Sequence, residues 1–151
     1  MEIKGYIREE LINLDLLSEQ KEDTIRELAQ LMENAEGMVN FERFLEDVFE
    51  RERLGTTGIG DGIAIPHART DAVDQLVIAL GISARGVEFE SLDGKKVKLL
   101  FLMGTPKESV SYYLKILAQL THLLKESTFR DKLLEAQDKV TVVSLFREIE
   151  E

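Results

Sequence analysis

The chain contains no cysteine. Disulfides and thiolate metal sites are therefore excluded, and the only two histidines, His67 and His122, stand too far apart in sequence to suggest a histidine-rich metal site. Proline is almost as scarce. Pro66 and Pro106 alone interrupt the chain, and no Gly/Ser-rich linker, low-complexity tract or internal repeat divides it. One compact domain over 1–151 is the expectation, because 151 residues with 44% hydrophobic content can bury one continuous core but hardly two. There is no apolar run of the roughly eighteen residues needed to span a bilayer. Nor does MEIKGYIREE carry an apolar stretch behind its charges that would make it a secretory signal. These absences predict a cytoplasmic protein with no direct membrane insertion.

Positive charge is also in short supply, with 19 Lys and Arg against 29 Asp and Glu and a formal charge of −10. Binding to a nucleic-acid backbone draws on clustered Lys and Arg, so no nucleic-acid partner is expected. A local basic spot would suit a compact anion better than a polymer.

What is present falls into three blocks. From Asp23 to Glu36, Ile25, Leu28, Leu31 and Met32 share a helical face, with Asp23 or Thr24 available as a cap. A second helix is clearer: Phe41, Phe44, Leu45, Val48 and Phe49 follow the 3.6-residue stripe, with Asn40 as cap and Gly55 as stop. The period then changes. Gly62–Ile65, Gln75–Ser83 and Lys96–Met103 are short runs rich in Val, Ile, Leu and Phe, bounded by turn residues such as Asp93-Gly94. LVIALGI and VKLLFLM are apolar at nearly every position, the pattern of strands covered on both faces. Three helices close the chain: one to Glu126 with Val110, Tyr113, Leu114, Leu117, Leu120 and Leu124 inward, one over Phe129–Ala136, and one over Val140–Glu151. The order predicts an α/β or α+β sandwich, a mixed sheet flanked by helices on both faces.

The stretch GIGDGIAIPHART, residues 58–70, carries the chemistry. A nucleotide loop is a poor fit. No Lys-Ser/Thr follows the glycines, and IAIP is strand-like rather than the start of a helix. Gly58, Gly60 and Gly62 instead suggest an extended segment cleared on one side, packed through Ile59, Ile63 and Ile65. Pro66 biases Ile65 toward extended geometry and ends the strand, which aims His67. The residues leave two readings of His67 open: a polar loop residue, or a neutral imidazole nucleophile that accepts a phosphoryl group beside Arg51 and Arg69. His122 falls on the polar side of its helix and reads as solvated surface. Tyr113, by its stripe alone, reads as core packing, with a hydroxyl that needs a partner.

RERLGTTGIGDGIAIPHART resembles the active-site segment of enzyme IIA domains of the fructose/mannitol family in the bacterial phosphoenolpyruvate-dependent sugar phosphotransferase system. The similarity continues through TDAV, GVEFESLDGKKVKLLFLMGTP and LKILAQLTHLLKESTFRDKLLEAQ, nearly the whole chain. It implies a single-domain phosphotransferase component, active only with partner proteins and needing no cofactor. His67 of the PH motif would take a phosphoryl group from phospho-HPr and pass it to a IIB component for uptake of a fructose-like sugar. Arg51, which opens RExxxxTG, and Thr57, just before the glycines, match the residues that stabilise that group. Tyr113 stands where many members carry a second histidine in HLxxLAxL, and the resemblance gives its hydroxyl the role of holding the phosphoryl group or orienting His67. His122, nine positions further on, does not replace that histidine. The nitrogen-regulatory branch of the same family shares GIGxGIAIPH and offers an alternative, in which phosphorylation of His67 switches binding to a regulatory target protein. A third reading is a binding domain that keeps the fold and has lost transfer.

Overall fold

A computed structural model describes residues 3–149. Among them, six strands form one mixed sheet in the order β1-β5-β6-β3-β2, with β4 also paired to β6. The centre is the antiparallel pair β5 (Val77–Val87) and β6 (Val97–Thr105), in register Leu80↔Phe101. β1 (Ile12–Asn13) lies parallel to β5 on one side. On the other side, β3 (Ile63–Ala64) and β4 (His67–Arg69) run parallel to β6, and β2 (Gly58–Gly60) closes the edge antiparallel to β3.

The two apolar strands are buried on both faces, as their unbroken hydrophobic runs require. Ile78, Leu80, Ile82, Leu99, Phe101 and Met103 face α3 (Val110–Leu124), α4 (Ser127–Glu135) and α5 (Lys139–Ile149). Val77, Ala79, Leu100 and Leu102 face α1 (Lys21–Ala29) and α2 (Phe41–Arg53). The helices before the sheet thus cover one face and those after it cover the other. Residues 150–151, within the last helix expected from sequence, lie outside the described residues.

α2 forms where its stripe and cap place it. The Asn40 side chain accepts a hydrogen bond from the Arg43 amide at 3.1 Å, while Phe44 and Val48 are fully buried. α1 departs from its expected bounds. It starts at Lys21, because Gln20 is held in a bridge to Glu88, and Thr24 bonds back to the Gln20 carbonyl at 2.7 Å instead of capping. Its last turn tightens into a 3₁₀ segment over Gln30–Met32. α3 is rotated relative to the expected stripe. Ile116, Leu120 and Leu124 are buried, whereas Val110 and Leu114 are exposed, because the helix is apolar on two sides and the Phe101–Met103 layer selects one.

The glycine stretch folds otherwise than its spacing suggests. It is not one extended segment cleared for a ligand: Gly60 (φ 104°), Asp61 (φ 56°) and Gly62 (φ 77°) make a tight turn between β2 and β3. Gly58 packs beneath Ser91, where a Cβ would meet the Ser91 Oγ at 2.5 Å. Nor does Pro66 end the strand for good. Its carbonyl accepts from the Met103 amide at 3.0 Å, and β4 resumes pairing at His67, opposite Met103.

Candidate functional site

His67 opens β4 and is 7% exposed, which rules out a solvated loop residue. Both ring nitrogens are engaged. Nδ1 lies 2.7 Å from the Ile65 carbonyl oxygen, and Nε2 lies 2.8 Å from the Tyr113 hydroxyl. A carbonyl only accepts, so the neutral ring carries its proton on Nδ1, and the Tyr113 hydroxyl donates to the lone pair on Nε2. Burial is the main cause that pushes the His67 pKa below the ordinary histidine value. The Ile65 hydrogen bond opposes this shift, the positive charge of Arg51 adds to it, and the negative charge of Glu52 opposes it. The ring is therefore a neutral base whose Nε2 lone pair is turned to the Tyr113 hydroxyl.

Nε2 faces an open cleft of about 630 Å³ between α2, β4 and the start of α3. Four cationic side chains line it: Arg43, Arg51, Arg69 and Lys107. Asp47 and Glu50 are the lining carboxylates, and Asp47 is occupied by Arg43 at 3.2 Å and the Thr70 hydroxyl at 2.6 Å. Arg51 stands in the last turn of α2, where a cation is favoured by the helix carbonyls, and donates to the Gly55 carbonyl at 2.9 Å. The Arg69 guanidinium lies 5.8 Å from the centre of the Tyr113 ring. Such a cleft suits a small, doubly charged anion beside a nucleophilic nitrogen. Among the described residues, no group of three or more His, Asp or Glu is placed to hold a metal ion.

The model of the family described as phosphoenolpyruvate-dependent sugar phosphotransferase system, EIIA 2, matches residues 5–149. The chain belongs to that family. Among curated EIIA relatives, the fructose-specific EIIA component of Haloferax volcanii is 39% identical over 142 residues, covering 94% of this chain and 92% of that protein. A nitrogen regulatory protein of Bradyrhizobium diazoefficiens is 31% identical, covering 96% and 94%. The chain is also 33% identical to a fructose-specific EIIABC component of Bacillus subtilis, of which it spans 23%. The nitrogen regulatory protein IIA-Ntr of Neisseria meningitidis has the same fold, with a TM-score of 0.89 at 29% identity, covering 95% of this chain and 98% of that one. An Escherichia coli IIA mannitol domain, solved in complex with phosphorylated enzyme IIB, shares the fold at a TM-score of 0.79 and 19% identity.

Within this EIIA fold, four of the five residues that the sequence tied to phosphoryl chemistry meet at the cleft: His67, Arg51, Arg69 and Tyr113. Tyr113 is half-buried rather than core, and the partner that its stripe left unnamed is His67, the residue beside which the resemblance put its hydroxyl. Thr57 does not line the cleft. It is buried behind it, with its hydroxyl donating to Glu52 Oε1 at 2.5 Å. His122 is exposed on α3, as its polar stripe implied. Glu52 was missed, although it carried a signal: it continues the buried Phe44–Val48 stripe at the next i+4 position, where a carboxylate needs partners. Lys107, in the link from β6 to α3, carried none.

Proposed function

We propose that the chain is a phosphohistidine carrier: His67 accepts a phosphoryl group from phospho-HPr and passes it to a IIB component in the uptake of a fructose-like sugar. The observation that carries this reading is the pair of opposed hydrogen bonds on His67. They leave a neutral Nε2 as the nucleophile at the mouth of a cationic cleft. The Nε2 lone pair attacks phosphorus while the donor's P–N bond breaks and its electron pair returns to the donor imidazole. Nδ1 keeps its proton on the Ile65 carbonyl throughout. Arg51 meets the charge on the transferring oxygens, and Tyr113 moves its hydroxyl from Nε2 to a phosphoryl oxygen as the new bond forms. Such a transfer needs positioning and charge stabilisation rather than a further acid or base.

Incubation with phosphoenolpyruvate, enzyme I and HPr tests the proposal. Acid-labile phosphate on the wild type and none on His67→Ala is the expected result, and no label on either would sink it. Kinship with proteins named nitrogen regulatory protein favours a second reading, in which phospho-His67 switches binding to a regulatory target. Labelled protein that discharges to no IIB partner would select that reading over sugar uptake.

A further inference from the structure

The tautomer of His67 is set by one carbonyl, so whatever holds that carbonyl also holds the nucleophile. Ile65 supplies two groups: its C=O accepts from Nδ1 at 2.7 Å, and its N–H donates to the Thr57 carbonyl at 3.0 Å. Thr57 is gripped in turn by Glu52, with its amide on Oε2 at 3.0 Å and its hydroxyl on Oε1 at 2.5 Å. The Glu52 side chain is 5% exposed and takes a third donor, Lys21 Nζ, at 2.8 Å. That ammonium lies 4.8 Å from the centre of the Phe89 ring, which fixes its side of the bridge. The path from Lys21 to Nδ1 is thus continuous. It crosses from α1 through the end of α2 to the sheet edge, and Glu52 itself does not line the cleft.

Resting on the assignment of His67 as the phosphoryl acceptor, we infer that Glu52, braced by Lys21, is a positioning residue for His67 and acts through Thr57 and Ile65 to keep Nδ1 protonated and Nε2 turned into the cleft. A buried charge is costly to keep unless it is paired and hydrogen-bonded. Here two of the three donors come from Thr57, whose carbonyl holds Ile65, and the third, Lys21, braces the carboxylate from α1. The arrangement also gives Thr57 a different task from touching phosphate, because its hydroxyl is committed to Glu52 and its carbonyl to Ile65. A second effect runs through space. The ring gains positive character as Nε2 bonds to phosphorus, and Glu52 favours that charge where burial and Arg51 oppose it. The charged and titratable groups facing His67 are Arg51 and Glu52 from α2, Tyr113 from α3, Arg69 from its own strand and Lys107 from the β6–α3 link, with Arg43, Asp47 and Glu50 further along the cleft.

The test uses the full chain with Glu52→Gln, a near-isosteric change, and with Thr57→Val, which removes the hydroxyl. ¹⁵N NMR of the unphosphorylated protein reads the His67 tautomer and its titration midpoint without any phosphoryl transfer. Glu52→Gln is expected to populate the Nε2-protonated form, to lower the midpoint further and to slow acceptance from phospho-HPr on the order of tenfold. Glu52→Gln and Thr57→Val combined should lose little more than either alone, because both cut one path. Wild-type tautomer, midpoint and rate in Glu52→Gln would overturn the inference, as would fully additive losses in the double variant. If Glu52→Gln does not fold, Lys21→Met takes its place with the same readouts. Absence of label on wild-type His67 would instead overturn the carrier assignment, while the tautomer comparison still decides the role of Glu52.

Discussion

His67 is held between two hydrogen bonds of opposite sense, and its pH behaviour follows from that cage. Its folded pKa lies below the ordinary value near 6.5, so the unfolded chain binds the proton more readily. The stability contributed by the buried neutral ring is fully present above about pH 6.5 and is lost as pH falls from there toward the lowered value. Urea midpoints of wild type and His67→Gln, measured from neutral to mildly acidic pH, should differ by an amount that moves in the wild type's disfavour with acid. A pH-independent difference would refute the linkage. On the role proposed for its guanidinium, Arg51→Ala should slow phosphoryl acceptance by about a hundredfold with little thermal destabilisation, since only the Gly55 carbonyl loses its partner. Unchanged stopped-flow kinetics would exclude that role. Tyr113→Phe keeps the ring beside Arg69 but removes the hydroxyl, and phospho-His67 should then hydrolyse about tenfold faster, the scale of one hydrogen bond to a charged group. Tyr113→His restores a ring N–H donor and should recover the lifetime. A folding defect without a kinetic effect would mark Tyr113 as packing only.

At the scale of elements, the hairpin from β2 to β3 shows how the glycines serve the site indirectly. Gly60 and Gly62 supply the positive φ of the turn, and Gly58 allows the edge strand to lie against Ser91 and Phe89. That hairpin carries Thr57 and Ile65 opposite each other, and through them the carbonyl that sets the tautomer. Gly58→Ala would place a methyl 2.5 Å from Ser91 Oγ and 3.0 Å from its Cα, so it should cost about 1–3 kcal/mol. Urea denaturation reads that loss, and a neutral result would show that Ser91 yields freely. The alternation of glycine was legible in GIGDGI, but its meaning was not. A period of two belongs equally to a cleared strand face and to a hairpin whose turn happens to fall on it.

For the whole molecule, one sheet separates two helical layers, and the cleft draws on both: Arg51 from the α2 layer and Tyr113 from the α3 layer meet over β4. The α3 layer is locked by aromatic contacts, with Phe146 edge-on to Phe129 and Phe101 at 5.2 and 6.1 Å. Phe146→Ala should cost about 3–5 kcal/mol while the fraction that remains folded still accepts phosphate, because the cleft lies at the opposite end of α3 from that cluster. Calorimetry with labelling on ice separates the two effects. Loss of labelling in demonstrably folded protein would mean that the layer also sets the cleft geometry.

Much of this architecture could be read directly from the residues. The apolar runs LVIALGI and VKLLFLM require cover on both faces, the Phe41–Phe49 stripe with Asn40 requires α2, and HAR after IAIP marks a histidine at a strand junction. Those features are local, and local pattern is set by short-range geometry. The rest depended on distance in space. Which face of α3 turns inward, the bridge from Gln20 to Glu88 that starts α1, and the Lys21–Glu52 pair all join residues far apart in sequence, and even the shorter links from Glu52 through Thr57 and Ile65 to His67 need the β2–β3 hairpin to be folded. No periodicity encodes such pairings, because a buried carboxylate or a tyrosine hydroxyl acquires its role only from the partners that packing brings within about 3 Å of it. The histidine at the strand junction was therefore visible in the sequence, and only the folded chain decided which of its ring nitrogens meets the Ile65 carbonyl and which meets the Tyr113 hydroxyl.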